Sequence, residues 1–166
     1  MRSPLIEKLQ VAEEELARRI RETNVGRFFG FALEAAEPGR AVLVLRVKPH
    51  HRQVHGVVHG GVMAALADTA GGMATYMTVP RGARVATVEM KINFLEAVEK
   101  GTVVAEARVL RCGRNFSVVD CDVRDSAGRL AAKALMTFAI TRADEKGPEE
   151  DITAGPRHSP GKKRRK

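Results

Sequence analysis

Residues 59–79 read HGGVMAALADTAGGMATYMTV, and the fold turns on how they are read. From Val62 to Val79 the segment is apolar almost all round and carries one formal charge, Asp68. A helix of that composition is enclosed on most sides, and it is too short and too interrupted by glycine to span a membrane. The segment therefore predicts a central helix that other elements wrap.

What wraps it follows from the periodicity on either side. After Pro80 the period changes to two, with Ala86, Val88, Met90, Ile92 and Phe94 alternating with Thr87, Glu89, Lys91 and Asn93. Three more strands are expected at TVVAEARVLR, NFSVVDCDVR and RLAAKALMTFAIT, separated by CGRN and DSAG turns. In the last of them Leu130, Ala132, Ala134, Met136, Phe138 and Ile140 share one face. Ahead of the helix, FFGFALEAAE and RAVLVLRVK read as a hairpin turning at Pro38-Gly39. Short turns suit antiparallel pairing, so the expected fold class is α+β, a curved antiparallel sheet around a central helix. Residues 3–23 place Leu5, Ile6, Leu9, Leu16 and Ile20 near helical spacing, which adds an amphipathic N-terminal helix. From Ala143 the chain is charged, rich in Pro and Gly, and aperiodic. The expected divisions are thus 1–24, an N-terminal helix; 25–142, one domain; and 143–166, a disordered tail.

The chain has 166 residues, enough for one core. Its formal charge is +8, but six basic residues stand in the last ten positions, RHSPGKKRRK. With aromatic residues at 4% and no Trp, there is no stacking platform for single strands, and nucleic acid is not an expected partner. A solvated end is the reading of that tail, with a polyanion contact as the alternative. Neither a signal peptide nor a membrane span is read, so the expected location is cytoplasmic. Cys112 and Cys121 read as reduced packing residues; a turn at Gly113-Arg114 would set Cys112 against Asn115 and leave Cys121 well up the strand.

Four histidines precede the helix, at positions 50, 51, 55 and 59. On a helix, His51, His55 and His59 would stack as zinc ligands do. Pro49, Gly56, the β-branched valines and Gly60-Gly61 instead predict a looped connection, and no metal is expected. Asp68 has no basic partner within a turn or two. Such an acid either leans outward and takes bonds from Thr69 or a neighbouring loop, or serves chemistry; the residues alone leave both open. Gly60-Gly61 at the helix start would let backbone approach a ligand, with N–H groups and the positive end of the helix dipole aimed at it. A carboxylate with oxyanion donors and no metal is suited to acyl transfer.

The ordered set HGGVMAALAD at 59–68, TAGGMA after it, TVEMKINFL at 87–95, RCGRNF and GRLAAKALMTFAI resembles the hot-dog-fold acyl-CoA thioesterases of the phenylacetate-pathway (PaaI) type. The likeness runs from about Gly30 to Thr141. It implies a homo-oligomer, with active sites at a dimer interface and pairs of dimers joined into tetramers. Asp68 of one subunit would be nucleophile or general base, and the Gly60 N–H of the other would hold the thioester carbonyl. His59 would hold the loop in shape. Gln53 stands where the family usually has an Asn that positions water or substrate, and Thr87 where a hydroxyl orients water or carboxylate. Gly61, Arg111, Gly113 and Arg114 would meet coenzyme A, which is part of the substrate, so no separate cofactor is implied. His50, His51 and His55 carry no role and are expected to face solvent. Met63, Met73, Tyr76 and Phe94 suggest an apolar pocket for aryl or short-to-medium acyl groups. The alternative function is a noncatalytic module binding acyl-CoA or acyl carrier protein, which retention of Asp68 with HGG disfavours. A hot-dog hydratase would need a different signature.

Overall fold

The computed structural model describes residues 14–141; the expected helix ahead of residue 14 and the expected tail lie outside them. Helix α1 covers 14–22 and buries Leu16 and Ile20. A short helix, α2 (Asn24–Phe29), follows directly. It corrects the expectation that FFGF opens a strand. The Thr23 hydroxyl accepts the Gly26 N–H, and Gly30 closes the turn at φ 71°, so the caps at both ends outweigh the β preference of two phenylalanines.

Strands β1 (Phe31–Glu37) and β2 (Arg40–Arg46) form the expected hairpin, with Gly39 at φ 80° after Pro38. A 3-10 turn at Pro49–His51 and an irregular loop lead into α3 (Gly60–Tyr76). Four strands complete the domain: β3 (Arg84–Phe94), β4 (Thr102–Cys112), β5 (Phe116–Arg124) and β6 (Leu130–Thr141). The sheet order is β1-β2-β4-β5-β6-β3, antiparallel throughout, and α3 touches every strand. This is the hot-dog arrangement.

The core lies between α3 and the sheet, where Leu66, Ala67 and Ala70 meet Leu43, Ala105, Val119, Met136 and Phe138, all nearly inaccessible. Gly71 marks the closest approach. A Cβ there would stand 2.8 Å from Met136 Cε and 2.9 Å from the Phe138 ring, so only glycine lets helix and sheet meet. Thr75 and Ser117 are buried on the same side and hydrogen-bond each other at 3.2 Å. The opposite face of the sheet is ionic, with Lys133 between Asp120 and Asp122, and Arg40 on Glu106.

Two register details depart from simple alternation. Cys112 stands opposite Ser117, not Asn115, because the Gly113 N–H reaches the Phe116 carbonyl at 2.8 Å and the turn falls one residue later, at Arg114-Asn115. Cys121 pairs with Ala107, buried, and its thiol is pushed up to about 12, first by burial and then by Asp120 and Asp122. In β3 the pairing shifts between Thr87 and Glu89, leaving Val88 as an extra residue. The alternation expected from the sequence would put Thr87 on the same face as Glu89. The bulge reverses the phase, so Thr87 lies opposite the buried Phe138 and shares the helix-facing side with Val85, Met90 and Ile92.

Candidate functional site

The site starts at the end of the loop that enters α3. Val58 donates to the Val98 carbonyl at 2.7 Å, and the His59 N–H to the His51 carbonyl at 2.8 Å, which fixes the entry from both sides. His59 is the N-cap: its Nδ1 accepts the Gly61 N–H at 2.9 Å. An acceptor there carries no proton, so the neutral ring has its hydrogen on Nε2. The His59 carbonyl takes the Val62 and Met63 N–H groups at 2.9 and 3.4 Å. Of the opening turn, the Gly60 N–H is left without an acceptor among the described residues. It points out of the helix start with the dipole behind it.

Both glycines are held at their size. A Cβ on Gly61 would stand 3.0 Å from His59 Nδ1, and one on Gly60 3.1–3.4 Å from the Phe94 ring. Phe94, at the end of β3, is 51% exposed, and Leu95 beside it 52%. An apolar surface thus adjoins the free N–H.

Asp68 is partly buried, eight residues on from Gly60. At 1.5 Å per residue that is about 12 Å along the helix axis. Its Oδ1 accepts the Thr87 hydroxyl at 2.7 Å. The partner is therefore a strand residue and not Thr69, whose hydroxyl donates to the Ala65 carbonyl instead. Thr87 reaches Asp68 because the Val88 bulge turns it toward the helix. Asp68, Thr87, Gly60 and His59 are thus placed by one helix and one edge strand, while Gln53 belongs to the loop before them. Its carboxamide oxygen accepts the His55 N–H at 3.2 Å, and its backbone closes a turn with Val57 and with Gly56, at φ 80°.

The histidines do not share a face. His50 and His55 are exposed, as expected. His51 is not: it is 1% exposed, and this corrects its reading as a solvent-facing residue. The 3-10 turn at Pro49 folds its ring inward, where Nδ1 accepts the Lys48 N–H at 3.0 Å. Burial holds its pKa below the ordinary histidine value, with His50 acting the same way. Sequence reasoning missed it because nothing in a string of four histidines distinguishes the one that a proline turns inward.

Arg111, Gly113 and Arg114 sit apart, at the β4–β5 hairpin. With Asn115, Phe116 and Val118 they line an open groove of about 400 Å³. Tyr76 faces away from the helix start: its hydroxyl accepts the Val85 N–H at 3.4 Å, and Arg19 of α1 lies 5.6 Å from its ring centre.

Residues 55–132 match the model of the thioesterase superfamily. The chain is 30% identical over 131 residues to acyl-coenzyme A thioesterase 13 of Homo sapiens, covering 77% of this chain and 93% of that protein. Among solved structures it is similar to a thioesterase from Haemophilus influenzae, with a TM-score of 0.73 and 28% identity over 78% of this chain and 90% of the other. It is also similar to zebra fish thioesterase superfamily member 2, with a TM-score of 0.69 and 27% identity over 79% and 96% of the two chains.

Proposed function

The chain belongs to the thioesterase superfamily, and from that premise we propose that it hydrolyses acyl-CoA to free acid and CoA in a site shared by two copies. It is a thioester hydrolase by family; the acyl group and the residue roles are the proposal. The observation that carries it is the separation within one chain. The unpaired Gly60 N–H and the Asp68 carboxylate belong to residues about 12 Å apart along one helix axis, too far to serve one carbonyl whose reacting atoms need contacts near 3 Å. A second copy supplies the missing half.

The free edge of β3 supports that assembly. Among the described residues this 11-residue strand pairs with β6 on one side only, and Val88 and Phe94 on it are more than half exposed. An unpaired strand of that length is a template for another chain, and a two-fold pairing there repeats each contact twice. Asp68 of one protomer then faces the helix start of its partner.

In that site the thioester oxygen accepts the Gly60 N–H, which stabilises the oxyanion as it forms. Thr87 occupies Asp68 Oδ1 and leaves Oδ2 to act. As general base, Oδ2 takes a proton from water while the water oxygen bonds to the carbonyl carbon; as nucleophile, Oδ2 forms that bond itself. Collapse breaks the C–S bond and CoA leaves as a thiolate, which takes up the proton held on Oδ2 in the general-base route and, in the nucleophilic route, a proton released when water opens the acyl-aspartate. In the nucleophilic route, water then hydrolyses the acyl-aspartate intermediate. His59 keeps the donor in place through the cap, and Gln53 positions water or the substrate. Phe94 offers an apolar wall suited to aryl or short-to-medium acyl chains. Gly61 gives the substrate close access to the helix start, and Arg111, Gly113 and Arg114 take the nucleotide end of CoA.

The test is thioester hydrolysis followed by thiol release, from acetyl- to palmitoyl-CoA with phenylacetyl- and benzoyl-CoA, wild type beside Asp68→Asn. The expected result is a loss of at least about a hundredfold in turnover with folding retained. An Asp68→Asn enzyme with near-normal turnover refutes the assignment of the carboxylate.

A further inference from the structure

The Gly60 N–H is only as well placed as the loop that carries His59, and that loop is held on one side by Val98 and on the other by His51. Three bonds make the connection. The His51 N–H donates to the Lys48 carbonyl at 3.0 Å, the Lys48 N–H donates to His51 Nδ1 at 3.0 Å, and the His51 carbonyl accepts the His59 N–H at 2.8 Å. The ring thus closes the 48–51 turn from within, and the backbone of the same residue holds the N-cap of α3. One step further on, His59 Nδ1 takes the Gly61 N–H.

Packing alone does not account for an imidazole here. The ring is 1% exposed, and its Nε2 is buried with no hydrogen-bond partner among the described residues; the Phe29 carbonyl favours the charged ring without closing a bond of full geometry. An apolar side chain of similar volume would fill the space without that orphaned nitrogen and its cost. What it could not do is accept the Lys48 N–H.

We propose that His51 is a positioning residue for the oxyanion donor: its neutral ring locks the 48–51 turn, whose carbonyl holds His59 and so aims the Gly60 N–H. The inference rests on the thioesterase reading given above. It also makes the site sensitive to acid. A second proton on the ring goes to Nδ1, where it displaces the Lys48 donor and opens the turn. The titratable and charged groups around the ring are His50, whose ring is edge-on at 4.1 Å, Lys48, and the cap residue His59; α2 presents the Phe29 carbonyl. Burial is the largest influence, and both His50 and Lys48 add to it, so the ring is neutral at pH 7. The turn then loosens as pH falls below the ordinary histidine value of 6.5.

The experiment compares kcat and KM of wild type, His51→Leu and His51→Asn from about pH 5 to 8, on a CoA thioester that the wild type cleaves. Asparagine can place an oxygen where Nδ1 stands, but it does not titrate. His51→Leu is expected to lower kcat roughly tenfold or more with KM within about twofold, as misplacement of a transition-state contact does. His51→Asn is expected to recover kcat to within about threefold at pH 7 and to lose the acid limb that starts near the histidine range. Unchanged kcat in His51→Leu, or a wild-type acid limb in His51→Asn, overturns the inference while leaving the thioesterase reading intact. If His51→Leu fails to fold, the acid limb of His51→Asn decides alone. A wild type that cleaves no thioester in the panel sinks the thioesterase reading first, and this inference with it.

Discussion

Gly71 and Gly72 are neighbours in one helix, and alanine at each is expected to act with opposite sign. Both substitutions gain the same local term, about 1 kcal/mol of helix preference for alanine over glycine. The surroundings differ. At Gly72 the nearest atom to a new Cβ is Phe138 Cε1 at 3.8 Å, an ordinary contact, so Gly72→Ala stabilises by roughly 0.5–1 kcal/mol. At Gly71 the new atom would meet Met136 Cε at 2.8 Å and two carbons of Phe138 at 2.9 Å, both side chains almost wholly buried. Overpacking of that kind costs about 1–3 kcal/mol, which makes the net effect neutral to about 2 kcal/mol destabilising. Subtracting one variant from the other cancels the helix term and leaves the packing cost. The assay is denaturant unfolding of both variants at one protein concentration, since association would shift the midpoint. A second readout follows from the register. Asp68 lies one turn before Gly71, and Thr87 is paired across from Phe138, so lifting the helix off Phe138 lengthens the 2.7 Å Thr87–Asp68 bond. Gly71→Ala should therefore lose kcat severalfold while Gly72→Ala keeps it. Equal stability of the two variants would refute the close approach of α3 to β6.

Removing the Thr87 hydroxyl while keeping its shape, as Thr87→Val, is expected to lower kcat by roughly tenfold, and Thr87→Ser to restore most of it; steady-state kinetics on one substrate decides. Of the two thiols, exposed Cys112 should react quickly with a thiol reagent in the native protein, and Cys121 only after unfolding, because burial holds its thiol up near 12; counting thiols before and after denaturant checks this. Asp125 is held below the ordinary aspartate range, first by Arg129 and also by the Arg129 and Ala127 N–H groups in the β5–β6 turn. A lowered carboxylate stabilises the fold fully above that range and loses its contribution as pH falls through its own value, so Asp125→Asn should flatten the acid side of the stability curve, measured as unfolding midpoints against pH.

Most of the architecture was legible because it rests on burial. The run from Val62 announces an enclosed helix, although α3 stops at Tyr76 and leaves Met77–Val79 outside it, and the six apolar positions from Leu130 to Ile140 read as one face of a strand. The errors fall where local bonding overrides pattern. Phe28 and Phe29 look like strand residues, yet Thr23 and Gly30 cap a helix around them. His51 looks like its exposed neighbours, yet a turn at Pro49 buries it.

The candidate site shows the same division, and its sharpest case is Thr87. A period-two reading of β3 is correct on each side of Val88 and inconsistent across it, since no composition signal marks a bulge in a strand that lacks glycine there. Carried through, that reading turns Thr87 away from α3 and leaves Asp68 without its hydrogen bond. The family resemblance singles the residue out, and the alternation contradicts it. A polar residue matched to a site, on a strand whose pattern sends it to the wrong face, is thus itself a signal for a bulge. The inserted residue reverses the strand's phase at a cost in pairing that one edge can bear, because among the described residues β3 has no second neighbour to stay in register with.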